Sequence, residues 1–449
     1  MARLPDIVFV FADQLRYQAL GFAGDPNART PHLDRLADHS LNFSLAISGC
    51  PVCCPARASL LTGQYPHQHV VIANDVCLNN GATSLAEACA AAGYETAYIG
   101  KWHLDGHGRS NYIPPERRHG FDFWMALECT HDYNHSYYYA GNDPTRRVWE
   151  GYDAIAQTDA ARRYLRERDP ARPCLLMLSW GPPHNPYETA PERYRRLHDP
   201  DRLLLRPNVP PHAQARARQD LAGYYAHISA LDDQIGALWD TLRETGQEAA
   251  TIFVFWSDHG DMLGSQGEQR KQRPWDESIR VRLLIHFPAQ FGTEGRPVDA
   301  PINTPDLMPT LLGLAGLPIP GTVTGRNYAP FLRGDAPAPA EAAHLACYQP
   351  FGEWTRAQHG GREYRGLRTA RYTYARDLAG PWLLYDNLGD LYQQHNLIGA
   401  PHMAQTQAEL DHALDTLLAE CGDDFAPGAA YLERWGYSVD ETGTVPYTN

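Results

Sequence analysis

The sequence predicts an α/β protein in which a large, mostly parallel sheet flanked by helices is followed by a smaller α+β unit. Two observations carry the expectation. Short apolar runs of strand length alternate with helical patterns, and each run is followed at once by polar residues able to do chemistry. After about residue 335 the composition shifts, through the Pro/Ala-rich stretch GDAPAPAEAA, into short β-rich pieces.

The run Asp6 to Ala12 leads into Asp13. Thr96 to Gly100 leads into Lys101 and His103, Cys174 to Trp180 into His184, and Thr251 to Ser257 into Asp258 and His259. Runs this short and rich in Val, Ile and Phe read as buried strands. Between them, Ser84 to Ala92 reads as a helix stopped by Gly93, and Leu221, Tyr225, Ile228, Leu231, Ile235, Leu238 and Leu242 recur at helical spacing up to Gly246. Repeated βα units imply a parallel sheet, whose ligands bind beyond the carboxyl ends of the strands, where these polar residues fall. Tyr364 to Asp377 and Trp382 to Asp386 read as β-rich and 402–421 as a helix, giving expected domains of 1–340 and 341–449. Trp124 to Tyr139, polar-aromatic and without clear periodicity, reads as an ordered loop, either one that walls a substrate cleft together with Gly352 to Arg365 or an ordinary packed connection.

Composition bounds the function. A chain of 449 residues with 43% apolar content is globular, and a net charge of -14 argues against nucleic acid or an anionic membrane surface as a partner while allowing a local cationic pocket. No apolar run approaches the roughly 20 residues that span a bilayer. The opening MARLPDIVFVFADQ has no small-residue cleavage site, so a cytoplasmic location is expected. Nine cysteines, odd in number and scattered, fit reduced thiols. A homo-oligomer is compatible with these features.

The cysteines cluster once, in Gly49 to Gly63, which reads GCPVCCPARASLLTG. Pro55 suits the first turn of a helix, which places Cys53 at a helix N-terminus favourable to an anion, with Arg57 one turn along. A redox or zinc pair at Cys50 and Cys53 is the competing reading, but no second Cys or His pair nearby completes a zinc set. A core thiol explains Cys54 well and Cys53 poorly.

Cys53-Cys54-Pro55-Ala56-Arg57, followed by Leu60-Leu61-Thr62-Gly63, resembles the signature of type I sulfatases. Further resemblance follows in order: Asp13-Gln14, Gly100-Lys101-Trp102-His103, Pro182-Pro183-His184, the run Ser257 to Gly264, and Lys271 seven residues before Ser278. Leu384-Tyr385-Asp386 through Asn396 looks like the closing segment of the family's small domain. The resemblance implies an alkaline-phosphatase-like fold and oxidation of Cys53 to formylglycine by a separate modifying enzyme. A hydroxyl of the hydrated aldehyde would then attack the sulfur of a small-molecule or carbohydrate sulfate ester.

The resemblance also assigns roles. Asp13, Gln14, Asp258 and His259, with the modified Cys53, would hold one divalent metal ion, and oxygen-rich ligation places calcium ahead of manganese or magnesium. Helix capping is the ordinary alternative for the two aspartates. Gln14 stands where many members carry Asp, and His259 where many carry Asn; an Asp-His pair is similar to that of phosphonate monoester hydrolases. Arg57 and Lys101 would hold formylglycine and sulfate oxygens, and His103 would take a proton to regenerate the aldehyde. Lys271 would stabilise growing charge while His184 protonates the leaving alkoxide. The same site could serve a phosphonate or phosphate mono- or diester, and a non-catalytic anion-binding protein is the reading from another class, disfavoured by the intact set of chemical residues.

Overall fold

The structure, a computed structural model, describes residues 3–355 and 360–447. Its large sheet comprises β1 (Asp6–Asp13), β2 (Leu41–Ile47), β3 (Glu95–Lys101), β4 (Phe123–Leu127), β5 (Tyr137–Ala140), β6 (Asp143–Val148), β7 (Cys174–Pro183), β8 (Thr251–Ser257), β9 (Arg280–His286), β10 (Arg296–Val298) and β11 (Ile302–Asn303). The strand order is β10-β2-β9-β8-β1-β7-β3-β4-β5-β6, with β11 also on β2. From β8 through β4 the strands are parallel, while β9 runs antiparallel to both its neighbours and β5 and β6 form an antiparallel edge. This is the mostly parallel, helix-flanked architecture the sequence predicts.

Continuous apolar runs are what a sheet covered on both faces requires. In β1, Ile7, Phe9 and Phe11 point into one core with the helices Cys53–Thr62, Leu85–Ala91 and Leu307–Ala315. Val8, Val10 and Ala12 point into the other, against the helices Asp153–Glu167 and Gln214–Glu244. The second of these is the helix whose Leu221 to Leu242 spacing stands out in the sequence. Ser84 caps Leu85–Ala91 by accepting from the Glu87 N–H at 3.0 Å while Glu87 reaches back to the Ser84 N–H, a reciprocal cap that fixes where this helix starts.

The segment expected as a loop differs. Phe123–Leu127 pairs in parallel with β3, and Tyr137–Ala140 pairs with β4, so the loop proper is the tract between them. The free edge of β3 supplies backbone hydrogen bonds, and ladder pairing of this kind overrides a mixed local pattern.

The second sheet, β12 (Ala342–Cys347), β13 (Tyr364–Thr369), β14 (Tyr372–Asp377) and β15 (Gly380–Asp386), is antiparallel throughout. The helix Ala404–Cys421 covers one face through Leu410, Leu414, Leu417 and Leu418. The other face packs Leu345, Tyr364 and Leu383 against Leu45, Ile47 and Ile279 of the large unit. Near the end of the described chain Val445 returns to the core of the large unit. No helix among the described residues is long and apolar enough to cross a membrane.

The two units are also joined by charge. Arg368 on β13 donates twice to Asp276 of the large unit, at 2.9 Å each, and Arg280 donates at 3.2 Å to the same carboxylate. Burial would raise this carboxyl, but Arg368 and then Arg280 outweigh it and hold it at about 2. A lowered carboxyl stabilises the fold above its unfolded value of 3.8, and that contribution disappears as pH falls through about 2. Breaking a buried pair leaves an uncompensated charge, so Arg368→Met is expected to lower unfolding free energy at pH 7 by about 3 kcal/mol. In chemical denaturation the deficit should shrink once the pH drops below about 4; a deficit independent of pH would remove the ion pair as its cause.

Candidate active site

The site forms where β1 and β8 end together. Ala12 pairs with Ser257, so the next residues, Asp13 and Asp258, leave adjacent parallel strands side by side, and both are fully buried. On the other flank the β1–β7 register shifts between Phe11 and Asp13, a bulge of the sort that re-aims a side chain at a strand end. Lys101 closes β3 after Gly100, whose φ of 105° and close approach to the Ser179 carbonyl exclude any side chain; a Cβ there would lie 2.0 Å from that oxygen.

Cys53 is the first residue of its helix, following an extended Val52. Its Sγ lies 2.9 Å from Lys271 Nζ, 3.2 Å from His259 Nε2 and 3.6 Å from Asp13 Oδ1. The neighbouring Cys54 turns elsewhere, accepting from the Asp75 N–H at 3.3 Å. Arg57, one turn along, donates to Asp13 at 3.1 Å, Asp258 at 3.2 Å, and to Ser179 Oγ and the Lys101 carbonyl at 2.8 Å each. Two of these contacts reach the carboxylates beside Cys53.

Lys101 Nζ donates to Asp13 Oδ2 at 2.7 Å. Burial would raise the Asp13 carboxyl, but Lys101, together with Lys271 and Arg57, holds it well below the usual range. Burial and then the Asp13 charge push Asp258 the other way.

The donor set fits a divalent cation. One ligand atom each from Asp13, Cys53, Asp258 and His259 lie within 4.8 Å of one another. Beside them Gln14 is fully buried and its Oε1 has no hydrogen-bond partner, an orphaned neutral oxygen of the kind a hard cation takes. His259 Nδ1 lies 3.0 Å from the Gly260 carbonyl, which fixes the ring with Nε2 facing Cys53. Cys50 is not part of this group, and all nine cysteines are free thiols.

Above Cys53 is a cleft of about 210 Å³ lined by Cys53, Lys101, His103, His184 and Lys271, by Arg109 and His131, and by Phe351, Gly352 and Glu353 of the small unit. Of the expected wall between Gly352 and Arg365, residues 356–359 lie outside the described residues. His184 stacks on His131 with centroids 4.6 Å apart and donates from Nδ1 to the Asn185 carbonyl at 2.9 Å. Burial, then the Lys271 ammonium, pushes this imidazole well below the usual histidine range. A larger cleft of about 570 Å³ lies at the amino ends of β3 and β4, against the helix Asp153–Glu167, and contains none of these groups.

Sequence reading passes over two acids that hold His103. The Asp75 carboxylate lies 3.0 Å from His103 Nε2, and Glu128 accepts from the N–H groups of Leu104, Asp105 and Gly106, clamping the loop behind a histidine with φ of 60°. Neither belongs to a run with readable spacing; only their burial and partners mark them.

Comparison with known proteins agrees with the geometry. Residues 5–317 match the family described as Sulfatase, and 264–420 match the family described as N-sulphoglucosamine sulphohydrolase, C-terminal. An ulvan-active sulfatase from Formosa agariphila is 44% identical over 99% of this chain and 87% of its own length. An endo-4-O-sulfatase from Bacteroides thetaiotaomicron is 30% identical over 97% of this chain and 96% of its own. A solved Bacteroides thetaiotaomicron structure described under metabolism of multiple glycosaminoglycans superposes with a TM-score of 0.86 at 29% identity, over 96% of this chain and 98% of that one. The Agrobacterium radiobacter phosphonate monoester hydrolase, 22% identical with a TM-score of 0.74 over 99% of this chain and all of its own, shares the fold. A family match over most of the chain, joined to relatives aligned along nearly its whole length, means that this protein belongs to the sulfatase family.

Proposed function

We propose that this sulfatase hydrolyses a carbohydrate sulfate monoester with formylglycine derived from Cys53 as nucleophile and a calcium ion held by Asp13, Gln14, Asp258 and His259. The observation that carries the reading is the position of Cys53 Sγ, which Lys271 Nζ approaches to 2.9 Å on the cleft side while Asp13 and His259 lie beside it. Hydrated formylglycine supplies an oxygen nucleophile, and a divalent cation supplies charge neutralisation for that oxygen and for the sulfate group. The carbohydrate assignment draws on relatives named as an ulvan-active sulfatase and an N-acetylglucosamine-6-O-sulfatase. Phe351, Arg109 and His131 at the cleft mouth suit a sugar with hydroxyl and anionic groups.

The chain's own residues divide the work. Arg57 and Lys101 hold Asp13 in its ionised form, and Lys271 meets the developing charge on the sulfuryl oxygens. Burial would lower the His103 imidazole, but Cys54, Cys129 and Asp75 raise it well above the usual histidine range, so it must release its own proton before it can accept the one whose removal restores the aldehyde. His184 is neutral at pH 7 and must be protonated before it can act as an acid. A sulfate ester entering between it and Lys271 brings negative charge that favours the protonated ring. The proton then passes to the leaving oxygen.

Cys53→Ala is expected to abolish turnover and Cys54→Ala to retain it, with mass spectrometry of the peptide ending at Arg57 finding the aldehyde at 53; an active Cys53→Ala protein would move the nucleophile elsewhere. Chelation should remove activity and calcium restore it, and Asp258→Ala should lose both metal content and turnover. His184→Ala should slow sugar sulfates by about 10²- to 10⁴-fold and esters of acidic phenols much less. Equal losses on both would make His184 a sulfate-binding or structural residue and leave protonation to Lys271 or His259. Rates on sulfate, phosphate and phosphonate esters of one leaving group test the reaction class, the sulfate being the preferred substrate.

A further inference from the structure

Gln14 departs from the commoner acidic residue of the family, and its surroundings give a physical reason. Its backbone N–H donates to Asp258 Oδ1 at 3.0 Å, and its side-chain Nε2 donates to Asp261 Oδ2 at 2.6 Å. Asp261 is itself fully buried. Its Oδ2 also accepts from the Tyr187 hydroxyl at 2.5 Å, and its Oδ1 accepts from the N–H groups of Arg270 at 3.0 Å and Leu263 at 3.2 Å. An ionised carboxylate only accepts, whereas an amide has one donating end and one accepting end. The Asp261 side of Gln14 must therefore be the NH₂ group. The carbonyl Oε1 is left over, buried without a partner in a residue held between Asp13 and Asp258.

We propose that Asp261 is a positioning residue for the cation site: it fixes the sense of the Gln14 amide so that Oε1 is presented to the cation, and it is the reason position 14 is an amide rather than an acid. A carboxylate at 14 would set oxygen against oxygen and charge against charge where a donor now stands 2.6 Å from Asp261. Asp261 takes no place among the clustered ligand atoms, and its four donors turn both of its oxygens to the scaffold. Tyr187 and the Arg270 backbone brace it in turn, and the Arg270 side chain donates to the Tyr187 hydroxyl at 2.5 Å, so the brace reaches the wall of the substrate cleft. The inference rests on the cation reading of the site given above.

The test is calorimetric titration of calcium into metal-free protein, with circular dichroism confirming the fold of each variant. Asp261→Asn and Gln14→Glu are each expected to weaken calcium by about 10- to 100-fold, the usual consequence of removing a partner that orients a ligand. The double variant Gln14→Glu/Asp261→Asn reverses the donor sense of the contact, because the Asn Nδ2 can donate to the new carboxylate while its Oδ1 keeps the Arg270 and Leu263 N–H groups. It is expected to recover to within about tenfold of the parent, a rescue that lost packing alone would not give. Gln14→Glu also decides by itself, should the Asn variants not fold: if Asp261 did not face position 14, an added charged ligand would tighten calcium, and tighter binding overturns the proposal. Parent-like affinity in Asp261→Asn, or a double variant as weak as both losses combined, overturns it too while leaving the cation reading intact. A parent chain that binds no calcium, manganese or magnesium would overturn both.

Discussion

Two carboxylates placed side by side in a water-free strand end are the constraint around which the molecule is arranged. The pairing of β1 with β8 forces Asp13 and Asp258 together, and neither is reached by solvent. Charges so placed are tolerated only when paired and hydrogen-bonded. Arg57 bridges both carboxylates from one side, and Lys101 reaches Asp13 from the next strand but one. The helix Cys53–Thr62 is where it is because Arg57 must lie beneath the acids while Cys53, one turn earlier, lies beside them. Arg57 and Lys101 thus balance the two carboxylates, so the pull on a cation is the converging oxygen ligands rather than surplus charge.

Much of this was legible in the sequence, and the reason is physical. A parallel sheet buried on both faces leaves strand-length apolar runs, and open α/β sheets put their chemistry at the following positions, so Asp13, Lys101, His184 and Asp258 stand out where each run stops. The long helix Gln214–Glu244 shows because one of its faces packs on that sheet. What escaped notice is what depends on three-dimensional pairing. Asp75 is 28 residues from His103, Asp261 is 247 from Gln14, and Arg368 is 92 from Asp276, and nothing local marks any of these partnerships. The strands β4 and β5 were hidden for the same reason, since the β3 edge rather than their own pattern makes them strands.

His184 shows where a motif stops short of a mechanism. Its place after β7 agrees with contact to the substrate, but residue order says nothing about protonation. Burial and Lys271 decide that, and they make the ring neutral until an anion arrives. Under the proposed reaction the acid is coupled to substrate binding: the charge that must be bound is the charge that readies the proton. Arg57 carries a similar lesson, because its family position suggests the substrate while its hydrogen bonds point to Asp13 and Asp258.

One side of the cleft mouth is supplied by a different stretch of chain from its floor. Phe351, Gly352 and Glu353 follow β12 in the small unit, and the Glu353 carboxylate lies 3.3 Å from the Arg270 guanidinium across the opening. Cys53, Lys101, His184 and Lys271 belong to the large unit. Selectivity and reactivity can therefore diverge independently: an insertion or exchange after β12 reshapes which ester is admitted without disturbing the buried charges below. A scaffold partitioned in this way can be retuned for a new substrate by remodelling one connection, with the buried site inherited unchanged.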